Sequence, residues 1–267
     1  MGPTAVGKTD KAIELALAQQ CPIISCDSRQ LYTELNIGVA KPDEAQLAKV
    51  KHYFISNVSI REHYTAGRYA ADARHLINEL FEQYDTLVVV GGTGLYIKAL
   101  LNGLDQLPER NEALRTELEE LMASQGIEAL QRRLKDKSPE LFERTEVQNP
   151  QRLIRAIEIA EGTTIRNLEI PEFKHPFELE TLVMEMDRDK LYERINLRVD
   201  QMVEAGLEAE AKALYELRHL NALQTVGYSE WWPYFEGEYD RKIAIDKIKQ
   251  HSRNYAKRQI TWFKHQM

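Results

Sequence analysis

The sequence predicts an α/β protein in which a parallel sheet is flanked by helices and interrupted by an inserted helical subdomain. Three observations carry this. The first hundred residues alternate short β-rich runs with helical patterns, the order that builds a parallel sheet. The runs PIISC (22–26) and TLVVV (86–90) are continuously apolar, as strands buried on both faces are. Beyond Pro108 the chain becomes densely charged and shows no strand pattern until TLVMEM (181–186). The expected organisation is a core of residues 1–108 and 177–267 with a helical insertion over 109–176.

Each element follows from local pattern. Residues 11–19 and 67–84 read as helices, the second with Tyr69, Ala73, Leu76, Ile77 and Leu80 near one face of a 3.6-residue period. The insertion holds three helical patterns, broken at Gln125-Gly126 and Asn149-Pro150. The β-branched Thr181 and Val183 make 181–186 a returning strand. A long helix begins at Lys190, with Leu191, Ile195, Val199, Met202, Val203 and Leu207 on its inner face. Gly206 interrupts it before a stretch over 208–218. The last helix, 241–263, mixes Ile243, Ile245, Ile248, Tyr255, Trp262 and Phe263 with basic residues.

The composition excludes several classes. With 267 residues, 43% hydrophobic and 29% charged, the chain is long enough for a core plus a subdomain. No apolar run approaches the ~20 residues of a membrane span, and no basic-then-apolar leader opens it. Cys21 and Cys26 lie on one strand, their Cα atoms roughly 16 Å apart if fully extended, too far for a disulfide. A reducing, cytoplasmic location is expected. The net charge of −7 hides an asymmetry: residues 241–264 carry eight Lys/Arg against one Asp, leaving −14 on the remainder. Such a block is either a polyanion site or a solvated basic helix.

Gly2-Pro3-Thr4-Ala5-Val6-Gly7-Lys8-Thr9 fits G-x-x-x-x-G-K-[ST] at every fixed position. Its glycines let backbone N–H groups turn inward around phosphate oxygens at the start of a helix. Lys8 adds a point charge and the Thr9 hydroxyl can hold Mg²⁺. The fold class is therefore P-loop NTPase-like. Such a loop follows a buried strand, and that strand is expected upstream of Met1. An apolar strand ending in a Mg²⁺-orienting Asp is missing, because TLVVV runs into Gly91-Gly92-Thr93-Gly94. The strand that does end in an acid is PIISC, at Asp27. Strand carboxyl ends share one crevice in such sheets, so Asp27, Thr93 and the loop should meet. Position alone leaves Asp27 open as a metal ligand, a general base or a helix N-cap.

With these residues in view, the chain resembles the tRNA dimethylallyltransferases. The matching blocks are GPTAVGKT, then DSRQLY (27–32), IGVAKP (37–42), GGTGLY (91–96), QRLIRA (151–156), VGY (226–228) and YAKRQITW (255–262). They occur in the family's order along nearly the whole chain. The resemblance implies transfer of a dimethylallyl group from its diphosphate to N6 of the adenosine immediately 3′ of the anticodon, tRNA position 37. It also implies Mg²⁺ as cofactor, a helical insertion that embraces the anticodon stem-loop, and a monomer. Relatives run further beyond TWFK, and the zinc-binding extension of eukaryotic members is missing, which favours the bacterial type.

Roles follow from the matched positions. Gly2, Thr4, Ala5, Val6, Gly7, Lys8 and Thr9 would hold the diphosphate, with Thr9 on the metal. Asp27 matches the general base, Thr93 a residue near the reacting centre, and Arg198 an arginine assigned to the diphosphate. Arg194 precedes Arg198 by four, on one side of the same helix. The tRNA-contacting stretches match Asp27, Ser28, Arg29 and Gln30, then Arg115, then Gln151, Arg152, Leu153, Ile154 and Arg155, then Gln224, Thr225, Val226, Gly227, Tyr228 and Ser229. Lys257 and Arg258 are phosphate contacts by charge; Trp262 and Phe263 read as core. The competing readings are a small-metabolite P-loop kinase, an isopentenyltransferase acting on free adenine nucleotides, and a non-catalytic RNA-binding paralogue.

Overall fold

The structure, a computed structural model, describes residues 1–104, 108, 110–162 and 177–266. It divides into two compact units: Met1–Gly103 with Phe173–Met267, and Leu104–Glu172. These boundaries fall five and four residues before those read from the sequence.

In the larger unit, β1 (Ile23–Cys26), β2 (His52–Tyr53) and β3 (Val88–Gly91) form a parallel sheet in the order β2-β1-β3. Ile23 pairs with His52 on one side and Val88 on the other, which makes β1 the central strand. Its alternation serves two cores. Ile23 packs with Ala12, Ile13 and Ala16 of α1 (Lys8–Ala18), while Ile24 and Cys26 face Tyr69 and Ala73 of α3 (Ala66–Leu80). The helix α2 (Glu44–Lys49) opens with a complete Asp43–Gln46 capping box. Thr65 caps α3 by accepting from the Arg68 N–H.

Two strand expectations change. β3 is not buried on both faces: Val88 and Val90 pack against the α1 side, while Val89 is 40% exposed. Residues 181–186 are extended but form no strand, since no neighbouring strand among the described residues offers a ladder. Their backbone pairs with Met1 instead: the Met1 ammonium donates to Leu182 O at 2.7 Å, and Met184 N to Met1 O at 2.8 Å. Leu182 and Val183 accordingly stay largely exposed.

The helices are closer to expectation. α1 starts at Lys8, three residues early, because Gly7 takes a φ of +102° and turns the loop straight into the helix. After β3 comes α4 (Gly94–Asn102), which the sequence pattern did not reveal. α9 (Arg188–Glu204) buries Leu191, Ile195 and Val199; Gly206, with φ +104°, breaks it from α10 (Leu207–Ala213). α11 (Trp231–Phe235) and α12 (Arg241–Gln266) complete the unit. The smaller unit holds four helices among its described residues: α5 (Glu112–Gln125), α6 (Ile127–Lys137), α7 (Pro139–Arg144) and α8 (Pro150–Glu161). The extra break is at Ser138-Pro139, where Ser138 caps the Leu141 N–H and Pro139 occupies the first turn. Leu118, Leu130, Leu134, Leu153, Ile154 and Ile157 form this unit's core.

Candidate active site

The site is built at the carboxyl ends of β1 and β3. The 2–9 loop reaches it with Ala5 at φ +63° and Gly2 and Gly7 also at positive φ, so successive N–H groups share one concave side. Lys8 folds back over the loop, its ammonium donating to Pro3 O at 2.6 Å. Burial lowers its pKa to about 8; the Asp27 carboxylate pulls the other way, and the Arg198 guanidinium adds to the lowering. Lys8 thus feels both neighbours. A docked diphosphate would restore its full charge.

Asp27 ends β1. Its Oδ1 accepts from the N–H groups of Arg29 at 2.9 Å and Gln30 at 3.3 Å. These bonds close a turn over residues 28–31 rather than cap a helix, since no helix follows before α2. Oδ2 has no hydrogen-bond partner among the described residues, so the group can also accept a proton. Thr93, between β3 and α4, is tied to the same corner: Ser28 N donates to Thr93 Oγ1 at 3.0 Å, and Thr93 Oγ1 lies 3.3 Å from Ser28 Oγ. Asp27, Thr93 and Lys8 therefore share one crevice, as the strand ends require.

Two arginines of α9 flank the loop. Arg198 Nη1 lies 3.4 Å from Thr4 Oγ1, and Arg194 Nε donates to Ala5 O at 2.9 Å. Burial lowers the Arg198 pKa, Arg194 adds to this, and Asp10 opposes it. The i, i+4 spacing puts Arg194 on this side, but nothing in the sequence assigns it the loop carbonyl.

α12 supplies what sequence pattern did not reveal. Along its buried face Ala256, Gln259 and Phe263 recur at helical spacing, and Gln259 is the polar member. Its Oε1 accepts from Thr4 N at 2.8 Å and its Nε2 donates to Gly92 O at 2.8 Å. Tyr255, one turn earlier, stands near Thr93 and Asp27; its phenol is pushed up to about 12 by burial and the Asp27 charge, with Thr93 opposing the rise. Glycines are needed opposite this face. A Cβ on Gly92 would stand 2.5 Å from Gln259 Nε2, and one on Gly94 2.4 Å from the Trp262 ring. A lone polar residue in an apolar helical stripe was the available signal for Gln259.

The residues read as tRNA contacts divide sharply. Leu153 and Ile154 are corrected: both are core of the smaller unit, at 0% and 1% exposure, and offer no side chain to a partner. Arg115 is held in this unit by one edge of its guanidinium, which binds the buried Glu158 with Nε at 2.8 Å and Nη2 at 2.7 Å. Arg155 donates to Glu158 and to Pro108 O. Gln30 Nε2 holds Val39 O and Ala40 O, which shapes the 36–41 loop. In the 224–229 turn Gly227 and Tyr228 are buried; the Gly227 N–H donates to Glu230 and the Tyr228 hydroxyl to Glu210. Thr225 O receives Tyr228 N and Ser229 N, Val226 is half-buried, and Gln224 is exposed. Gln151, Arg152, Lys257 and Arg258 are exposed, and Ser28 and Arg29 half-buried beside Asp27. Trp262 and Phe263 pack inward, Phe263 at 6% exposure.

No three His, Cys, Asp or Glu side chains converge on a possible metal position among the described residues. A magnesium ion, which keeps water and substrate phosphate oxygens as ligands, needs no such cage, and the Thr9 hydroxyl beside the cradle fits it.

These features define a P-loop-like α/β protein in which a cationic loop lies beside a carboxylate and a threonine at the strand ends. Residues 30–266 match the family model for IPP transferase, and the chain belongs to that family. It is 42% identical to the tRNA dimethylallyltransferase of Flavobacterium johnsoniae over 99% of this chain and 88% of the relative. It is 43% identical to that of Christiangramia forsetii over 99% and 88%. The tRNA isopentenylpyrophosphate transferase of Bacillus halodurans superposes with a TM-score of 0.72 at 38% identity, covering 99% of this chain and 85% of that one. A eukaryotic dimethylallyltransferase acting on tRNA shares the fold, with a TM-score of 0.75 at 23% identity over 98% and 68%.

Proposed function

We propose that this chain transfers the dimethylallyl group of dimethylallyl diphosphate to N6 of adenosine 37, in the anticodon loop of tRNA. The observation that carries this is the meeting of Lys8, Asp27 and Thr93 in one crevice, with Asp27 Oδ2 open. In the reaction the N6 nitrogen forms a bond to the allylic C1. The C1–O bond breaks, and its electron pair leaves with the diphosphate. The N6 proton passes to Asp27. Adenine N6 is a weak nucleophile because its lone pair is delocalised, so a base at that point contributes on the order of 10²–10⁴ in rate.

Negative charge grows on the leaving diphosphate, where the loop N–H groups, Lys8 and Arg198 stabilise it more than in the bound substrate. Thr9 would hold Mg²⁺, which would supply further positive charge at the leaving group. The target base has to leave its stack to reach Asp27. Arg29 stands beside that position, and exposed Lys257 and Arg258 suit the RNA backbone. The chain acts in the cytoplasm as a monomer under this reading; both cysteines are free and buried, and no described helix is long and apolar enough to cross a membrane.

The experiment is incubation of the purified chain with radiolabelled dimethylallyl diphosphate, unmodified tRNA and Mg²⁺. Label in tRNA at adenosine 37 supports the proposal. Label in free AMP, ADP or ATP, or bound tRNA without label, overturns it.

A further inference from the structure

We infer that Gln259 is a positioning residue that sets the distance between the phosphate cradle and the Thr93 corner. The inference deepens the transferase reading proposed above and rests on it.

Gln259 is 7% exposed, among apolar neighbours on α12. Burying a carboxamide is costly unless both its ends are satisfied, and here each end is satisfied by a different half of the site. Oε1 takes the N–H of Thr4, in the middle of the loop that would hold the leaving group. Nε2 gives to the carbonyl of Gly92, the residue before Thr93. Thr93 in turn receives Ser28 N, next to Asp27. A single rigid amide thus bridges the group that departs and the groups that face the incoming base.

The packing leaves little slack. A Cβ at Gly92 would stand 2.5 Å from Gln259 Nε2 and 3.3 Å from Gly2 O. The cradle backbone, the Gly92 backbone and the amide are stacked in direct contact, so a shift of one is felt by the others. α12 holds Gln259 in place through Ala256 and Phe263, both buried. Both ends of the Gln259 amide are taken up by backbone, at Thr4 and Gly92. Gln259 acts through these two groups.

The effect should therefore appear in turnover rather than in diphosphate binding. Lys8, Arg198 and the remaining loop N–H groups still hold the substrate when Gln259 is replaced. What is lost is registry between C1 and the accepting corner, and misplacement of about 1 Å costs on the order of 10²-fold.

Gln259→Leu and the near-isosteric Gln259→Met test this. Dimethylallyl diphosphate binding is titrated calorimetrically with Mg²⁺, and label transfer to tRNA is followed in parallel, alone and combined with Thr93→Val. The inference expects one site per chain, a Kd within about threefold of the parent, and kcat lowered about ten- to a hundredfold. It also expects the double variant to lose much less than the product of the single losses. Unchanged kcat in both variants overturns it, as does a multiplicative double variant. A fall in the number of binding sites that matches the fall in rate in both variants marks a merely structural role and also overturns it. A parent chain that binds the diphosphate but labels no tRNA instead defeats the transferase reading, and is recognised before any variant is made.

Discussion

Under the proposed reading Asp27 has two tasks for its two oxygens, and a substitution can separate them. Asp27→Asn keeps an acceptor for Arg29 N and Gln30 N but cannot take a proton from N6. Turnover should fall by about 10² or more while tRNA affinity stays within a few-fold; a filter-binding assay beside the label-transfer assay checks both. Lys8 predicts a pH dependence. Its pKa of about 8 is depressed by burial, and a bound diphosphate raises it, so binding above pH 8 requires proton uptake. Affinity for dimethylallyl diphosphate, measured without tRNA, should fall about tenfold or more between pH 7 and 9.5, because above its pKa the charged fraction of Lys8 drops about tenfold for each further step in pH. The ligand's own ionisation, with a pKa near 6, is complete across most of that window. Lys8→Met should bind weakly and lose the proton uptake, which calorimetry in buffers of different ionisation enthalpy reads directly.

At the scale of elements, two arginines of the smaller unit that read as RNA ligands are tied to one buried carboxylate. Glu158 on α8 is 2% exposed and holds Arg115 of α5 by two bonds, Arg155 by one, and the Asn111 N–H at 3.0 Å. Burial alone would raise the Glu158 pKa, but Arg115, the Asn111 N–H and Arg155 outweigh it and lower it. A carboxylate with a depressed folded-state pKa contributes stability above its unfolded pKa and loses it as pH falls through the folded value. Acid should therefore loosen this unit below about pH 4. Glu158→Ala leaves two guanidinium groups without their central acceptor and should cost about 3–5 kcal/mol at neutral pH. Hydrogen exchange on α5 and α8, with the larger unit as internal reference, checks it. α12 shows the opposite conversion: a helix that reads as a charged surface also carries the amide that spans the site.

For the molecule as a whole, charge is arranged against its average. The net charge is −7, yet α12 carries Lys257 and Arg258 on exposed positions. If RNA lies there, its affinity must depend on salt. Replacing Lys257 and Arg258 by Ala should reduce the slope of log K against log salt by about 0.7–0.9 for each phosphate that is no longer neutralised, with diphosphate binding unaffected. A slope that stays the same would move the RNA elsewhere. Lys257 and Arg258 are a sharper pair for this test than Arg152, which is already paired with Glu146 at 2.6 Å.

How much was legible in the chain follows from what each signal depends on. The phosphate loop, β1, α3 and the Asp27 corner rest on local spacing, and the ordered motifs carried the family. Local pattern misled wherever partners decide. TLVMEM has strand composition but, among the described residues, pairs with Met1 rather than a strand; Leu153 and Ile154 sit in a matching block yet serve the core, and Arg115 is held by Glu158. Gln259 was hidden because its hydrogen bonds go to two backbone groups 255 and 167 residues away in sequence. The sequence by itself determined the chemistry available: a cradle, a carboxylate, a threonine and a basic helix. Only the tertiary structure decided which polar groups face the reaction and which are consumed in holding it together, because burial and hydrogen-bond satisfaction depend on neighbours that only the folded chain brings within reach.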